Sequence, residues 1–99
     1  MDVFDLKQIE PGSKKAEVFF EAQEFTSRLI KLNKEEKIPP CEMEAYVIFV
    51  VISGEVSVKA DEESNILKEG QSLISEPAVM SMKAVRQARI LGIQIKTGG

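Results

Sequence analysis

The side chains able to do chemistry in this chain are few, and none of them is a histidine. Without imidazole, no Ser-His-Asp or Cys-His nucleophile can be assembled, and the usual general base near neutral pH is missing. What remains is one thiol, Cys41, one phenol, Tyr46, and the carboxylates, lysines and arginines. Ser81 and Lys83 stand two apart, a strand spacing that puts both on one face. A serine and a lysine at that spacing recur by chance in most sequences, so we read them as ordinary strand residues. No neighbour in sequence would lower the pKa of Cys41, so the thiol does not read as a nucleophile. Glu42 and Glu44 alternate away from Cys41 and Met43 and read as a solvated pair. Arg28 shares its alternation with Ile30 and Leu32. A guanidinium on such a face can clamp a carboxylate or phosphate, or extend to solvent over its apolar stem. Tyr46 reads as an interface aromatic, and Met80 and Met82 as packing. No residue is assigned to catalysis.

The elements that would position these groups must come from a single domain, 1–99, since the chain has only 99 residues. With 43% hydrophobic and 29% charged residues it has the composition of a globular protein, not a disordered one. A net charge of −3 argues against nucleic acid, whose phosphates need a basic face. The one local basic cluster is Lys83, Arg86 and Arg89. A single cysteine excludes an internal disulfide and fits a reducing compartment. The start, Met1-Asp2-Val3-Phe4-Asp5, lacks the basic-then-apolar pattern of a signal peptide. The longest apolar run, Ala45 to Ile52, falls well short of the roughly 20 residues that span a bilayer. We expect a cytoplasmic protein with neither a membrane nor a nucleic-acid partner.

Ala45 to Ile52 is β-branched and aromatic and ends at Ser53-Gly54, after which Glu55 to Lys59 alternates apolar with polar. Two extended runs about a glycine-containing turn predict a hairpin. Ile90 to Ile95 reads as a further strand, and Ile66-Leu67, Leu73-Ile74 and Val79 to Val85 as short ones. Turns are expected at Asp61 to Asn65, at Lys68-Glu69-Gly70 and at Glu35-Glu36-Lys37. Short strands at this spacing make a sandwich or barrel. Residues 13–32 allow two readings. Val18, Ala22, Phe25, Leu29 and Leu32 make a helical stripe that Ser13 would cap, whereas Arg28 to Leu32 also alternates as a strand does. Residues 1–15 are expected as an N-terminal arm able to add a strand, and 97–99 as a flexible tail.

Between Cys41 and Gly54 the chain reads C-E-M-E-A-Y-V-I-F-V-V-I-S-G, and from Gly70 to Ser81 it reads G-Q-S-L-I-S-E-P-A-V-M-S. These stretches resemble the two signature motifs of the small single-domain cupins, H-x-H-x3-E-x6-G and G-x5-P-x-G-x2-H. The resemblance spans roughly Phe20 to Ile95. It implies an all-β, antiparallel cupin-like jelly-roll barrel (a double-stranded β-helix), with strands rather than a helix before residue 32. It also places the family's metal ligands on Cys41, Met43, Val47 and Ser81, so every ligand position is substituted. Pro77 stands one position late and Ala78 replaces the second motif's glycine.

The resemblance implies that Cys41, Met43 and Val47 share an inward strand face with Ala45, Phe49 and Val51. The expected pocket lining is Cys41, Met43, Val47, Phe49 and Ser81, with Arg28 near the mouth. Two sulfurs favour soft ions such as Cu(I), but valine and serine complete no site, and Cys41 and Met43 read as apolar filling. We expect no metal and no cofactor. The opposite face of the same strand, Tyr46, Ile48, Val50 and Ile52, is also apolar and must be covered. A homodimer packed through the Ala45–Ile52 strand would cover it. Three functions follow: a metal-free small-molecule-binding or regulatory module, a cupin enzyme using a soft metal or metal-free chemistry, and a structural homodimer with no ligand site.

Overall fold

Runs rich in valine, isoleucine and phenylalanine take the extended backbone that branched and aromatic side chains favour. The computed structural model describes residues 1–96. Its strands are β1 (Ala16–Glu21), β2 (Phe25–Leu32), β3 (Lys37–Met43), β4 (Val47–Ala60), β5 (Glu63–Lys68), β6 (Ser72–Ser75) and β7 (Ala78–Ile95), and no helix occurs among the described residues. Every strand pairing is antiparallel. One seven-stranded sheet runs in the order β1-β2-β7-β4-β5, with β3 also on β7 and β6 also on β4.

Two long strands organise the others. β4 has 14 residues and β7 has 18, paired from Val47 opposite Gln94 to Ala60 opposite Met80. Their register slips between Val51 and Val56, and such bulges bend a strand and increase its twist. The first half of β4 and the second half of β7 therefore lie with β1, β2 and β6, while the other halves lie with β3 and β5. Inward residues of both sets, among them Ile30, Leu32, Val51 and Ile90 from one and Val56, Val58, Met82 and Ala84 from the other, meet in one core. This is the expected antiparallel jelly roll. The sheet folds over on itself without closing into a barrel, because the hydrogen-bonded path ends at β1 and β5.

Several local expectations are corrected. No hairpin turns at Ser53-Gly54. Gly54 has φ of +86°, and a Cβ there would collide with the Gln87 carbonyl oxygen and lie 2.6 Å from the Ala88 Cα. The glycine serves a bulge in one continuous strand, where a neighbouring backbone passes close by. Val79 to Val85 and Ile90 to Ile95 likewise belong to a single strand, β7. The turn after β4 is confined to Asp61-Glu62, and Glu63 to Asn65 enter β5 as exposed residues. Residues 16–21 and 25–32 form strands, so Ser13 caps no helix. Leu29 and Ile30, adjacent in sequence, are 0% and 4% exposed, which requires that β2 be covered on both faces.

Part of that cover is the N-terminal arm, which forms no strand. Arg89 on β7 donates to the carbonyls of Leu6 (3.1 Å) and Ile9 (2.7 Å) and pairs with Glu10. Phe4 packs edge-on against Phe19, ring centroids 4.9 Å apart. Pro39 and Pro40, which lack N–H donors, sit where the β3–β7 register shifts between Ile38 and Cys41. The tail expected at 97–99 lies outside the described residues.

Candidate functional site

At one end of the fold the inward side chains do not meet. They leave a cavity of about 340 Å³ walled by Arg28 and Ile30 of β2, Ile38, Cys41, Glu42 and Met43 of β3, Val47 and Phe49 of β4, and Met80 to Met82 and Gly92 to Gln94 of β7, with Ala16 of β1. The cause is local in sequence. Gly92 has no side chain, and its cross-strand partners are Phe49 on one side and Arg28 on the other. The Phe49 ring reaches over the glycine: a Cβ built there would lie 3.2 Å from Phe49 Cε1 and 3.4 Å from Ile30 Cδ1. Ala16 and Cys41 add only short side chains to the wall.

All six residues selected from sequence, Arg28, Cys41, Met43, Val47, Phe49 and Ser81, stand at this cavity. They arrive by a different route from the one expected. Cys41 and Met43 belong to β3, Val47 and Phe49 to β4, and residues 44–46 connect the two strands. Ala45, expected on the lining face, is buried in that connection, and Val51 lies in the packed core. Cys41 is exposed rather than an apolar filler, and its Sγ has a 3.9 Å contact with the neighbouring Glu42 carbonyl. Glu42 also reaches the cavity rim, although it alternates away from Cys41 in sequence.

Ser81 needs a further correction. Across the ladder it faces exposed Lys59, whereas Met82 faces Val58 and Met80 faces Ala60. Met80 and Met82 are 5% and 4% exposed and belong to the core. The inward register of this stretch is therefore Met80-Met82-Ala84, and Ser81 borders the cavity from the alternate register. Pro77 carried the signal: counted from this proline rather than from Gly70, the second motif's final position falls on Met82. Lys83 is not held by Ser81 but pairs with Glu35 at 3.0 Å.

The donor set does not fit the metal the cupin resemblance implies. A thiol, thioethers and a valine offer no hard ligand, and among the described residues no three His, Cys, Asp or Glu side chains come together. The polar end of the cavity is instead Arg28 and Gln94. Nη1 of Arg28 donates to Oε1 of Gln94 at 3.0 Å. A larger hollow of about 470 Å³ lies between β5 and β6, lined by Asn65, Gln71, Ser72 and Ser75 among others, and has no cation on its wall.

The basic cluster of β7 is neutralised. Lys83 pairs with Glu35, Arg86 with Glu55 at 2.8 Å, and Arg89 with Glu10. Lysines hold three carboxyls below the ordinary glutamate range. Glu10 is lowered first by its hydrogen bond from Lys31, Glu21 by that from Lys96, and Glu35 by that from Lys83. Among the described residues, no helix is long and apolar enough to cross a membrane.

No family model matches the chain, and no curated protein matches it either. Solved structures do. A conserved protein of unknown function from Streptococcus pyogenes superposes with a TM-score of 0.82 at 20% identity, covering 99% of this chain and 90% of that one. An RmlC-like cupin from Desulfovibrio desulfuricans gives 0.83 at 17% identity, with 96% of each chain covered. The Cnp3 cupin domain of Schizosaccharomyces pombe gives 0.85 at 12% identity, over 96% of this chain and 74% of that one. On these superpositions this chain has the fold of the small cupins.

Proposed function

We propose that this protein is a metal-free cupin that binds a small molecule in the cavity beneath Phe49 and Gly92, as a binding or regulatory module rather than an enzyme. The observation that carries the reading is a hollow of about 340 Å³ with mostly apolar walls and one cation. Ligand cavities are of this kind: concave, mostly apolar, with few polar groups to fix orientation. An enzymatic reading finds little support in the residues themselves. Cys41 contacts only a carbonyl, and Lys83, the one amine near Ser81 in sequence, is engaged by Glu35.

The test is a thermal-shift screen of small apolar compounds, with native mass spectrometry of the purified protein. A ligand present at 100 times its Kd stabilises a fold by about 2.7 kcal/mol. For a domain of this size that raises Tm by roughly 10 °C or more. A screen in which no compound of cavity size moves Tm by more than about 1 °C, and no small molecule co-purifies, overturns the proposal.

We also propose that the protein is a homodimer packed through the outer face of β4. Ile48 and Val50 stand beside Ile93 and Leu91 of β7, and all four are only half-buried. Ile74, opposite Ile48 on β6, is 68% exposed, and Tyr46 is 48% exposed. A contiguous apolar face of this kind marks an association surface. Light scattering coupled to size exclusion should give twice the 11.0 kDa chain mass, and Ile48→Lys should return it to the chain mass. A wild-type protein that stays monomeric at micromolar concentration overturns the dimer.

A further inference from the structure

The polar end of the cavity presents hydrogen-bond donors and a positive charge. Gln94 spends its carbonyl oxygen on Arg28, so its amide group is left with two N–H donors. Arg28 has five N–H donors and no acceptor, and this neutral amide is its one side-chain hydrogen-bond partner among the described residues. No carboxylate lies within ion-pair distance of Arg28 among the described residues. The nearby acid Glu21 is engaged by Lys96 at 3.0 Å and by the Thr26 hydroxyl at 3.4 Å. The other charged group at the cavity, Glu42, belongs to a different wall. It pairs with Val79 near the start of β7, whereas Arg28 pairs with Gly92 near its end.

We infer that the ligand of this cavity is a small monocarboxylic acid with an apolar body, its carboxylate held by Arg28 and Gln94 and its hydrocarbon lying against Phe49, Val47 and Met43. The inference rests on the small-molecule reading above and deepens it by naming the ligand class. A carboxylate is an acceptor-only group whose two oxygens match the guanidinium fork. A half-buried cation facing apolar walls is incompletely solvated, and an anion supplied by the ligand offsets that cost. One arginine suffices for a single negative charge, and no second cation stands on the wall to meet a dianion such as phosphate. The negative Glu42 at the rim favours an orientation with the acid at the Arg28 end and the apolar part toward β3.

The test titrates hexanoate and 1-hexanol into the full chain and follows backbone amide shifts. Hexanoate is expected to bind at least about tenfold more tightly than hexanol, with shifts centred on Phe49, Gly92 and Gln94. Arg28→Gln should weaken hexanoate by about tenfold or more and so remove its advantage over hexanol, and Arg28→Lys, which keeps the charge without the fork, should fall between them. Hexanol bound as tightly as hexanoate would overturn the acid assignment and leave the cavity reading standing. Hexanoate shifts confined to surface lysines, such as Lys15 and Lys37, would overturn it too. Failure of both probes to shift cavity residues would defeat the inference together with the reading beneath it.

Discussion

β4 and β7 each serve two ends of the molecule, and the two ends are built differently. Toward the bulge, Val51, Val56, Ala84, Ala88 and Ile90 are each at most 1% exposed. At the opposite end of the same strands, Val47, Phe49 and Gly92 line the hollow. Backbone pairing continues through both, from Val47 opposite Gln94 to Ala60 opposite Met80. The difference lies in side-chain volume. Side chains of both strands interlock at the packed end, while Gly92 removes a side chain from the open end. A sheet can therefore keep its ladder intact and still leave room inside.

The two interior glycines give the largest contrast. Gly54→Ala should destabilise by about 3 kcal/mol or more, since a Cβ at φ +86° meets backbone atoms of Gln87 and Ala88 that cannot swing aside. Urea unfolding will read this, and a loss below about 1 kcal/mol would show that the bulge is soft. Leu32→Ala in the packed core should cost about 2–5 kcal/mol through the cavity it opens. Met43→Ala should cost about 1 kcal/mol, because Met43 is half-buried beside space that already exists. Equal losses from the two truncations would erase the distinction between the ends. Gly92→Ala should cost less than about 1 kcal/mol, since the atoms it approaches are side-chain tips, and it should lower affinity for any cavity ligand.

The smallest effect is electrostatic and concerns the surface outside both ends. Lys83 holds the Glu35 carboxyl below its ordinary value. A depressed carboxyl contributes stability that is fully present above its unfolded pKa, near 4.5, and is lost as pH falls through the lower folded value. Lys83→Met should therefore be slightly destabilised at pH 6, and the gap from wild type should close as pH falls below 4.5 and through the lowered folded value. Carbon-detected titration of Glu35 should show its pKa rising toward the ordinary value in the variant. An unmoved titration would mean that the pair is screened away in solution.

The motif resemblance picked out residues that the fold gathers at one cavity, through a geometry partly different from the one expected. That resemblance pointed to Cys41, Met43 and Val47, and alternation along an extended chain added Phe49. That they sit on two strands was not legible, because Glu44 and Tyr46 do not break the apolar pattern. Ser81 shows a sharper failure, since one residue of offset reverses the face of a strand, and only burial identifies Met80 and Met82 as inward. Ser53-Gly54 has the composition of a hairpin turn, and whether a glycine turns the chain or bulges it depends on what lies alongside. Here that is Gln87 and Ala88, more than thirty positions away.

Composition alone settled the absence of imidazole, and the pattern of branched residues marked strands after residue 45 while leaving 13–32 open, because both are properties of single residues and their nearest neighbours. Folding decided the remainder: that β4 and β7 run unbroken through their bulges, that the basic side chains of β7 each find a carboxylate, and that Arg28 meets Gln94 from 66 positions away. Those outcomes depend on which strands lie side by side. In an antiparallel sheet folded over on itself, the neighbours that fix a side chain's surroundings come from distant parts of the chain.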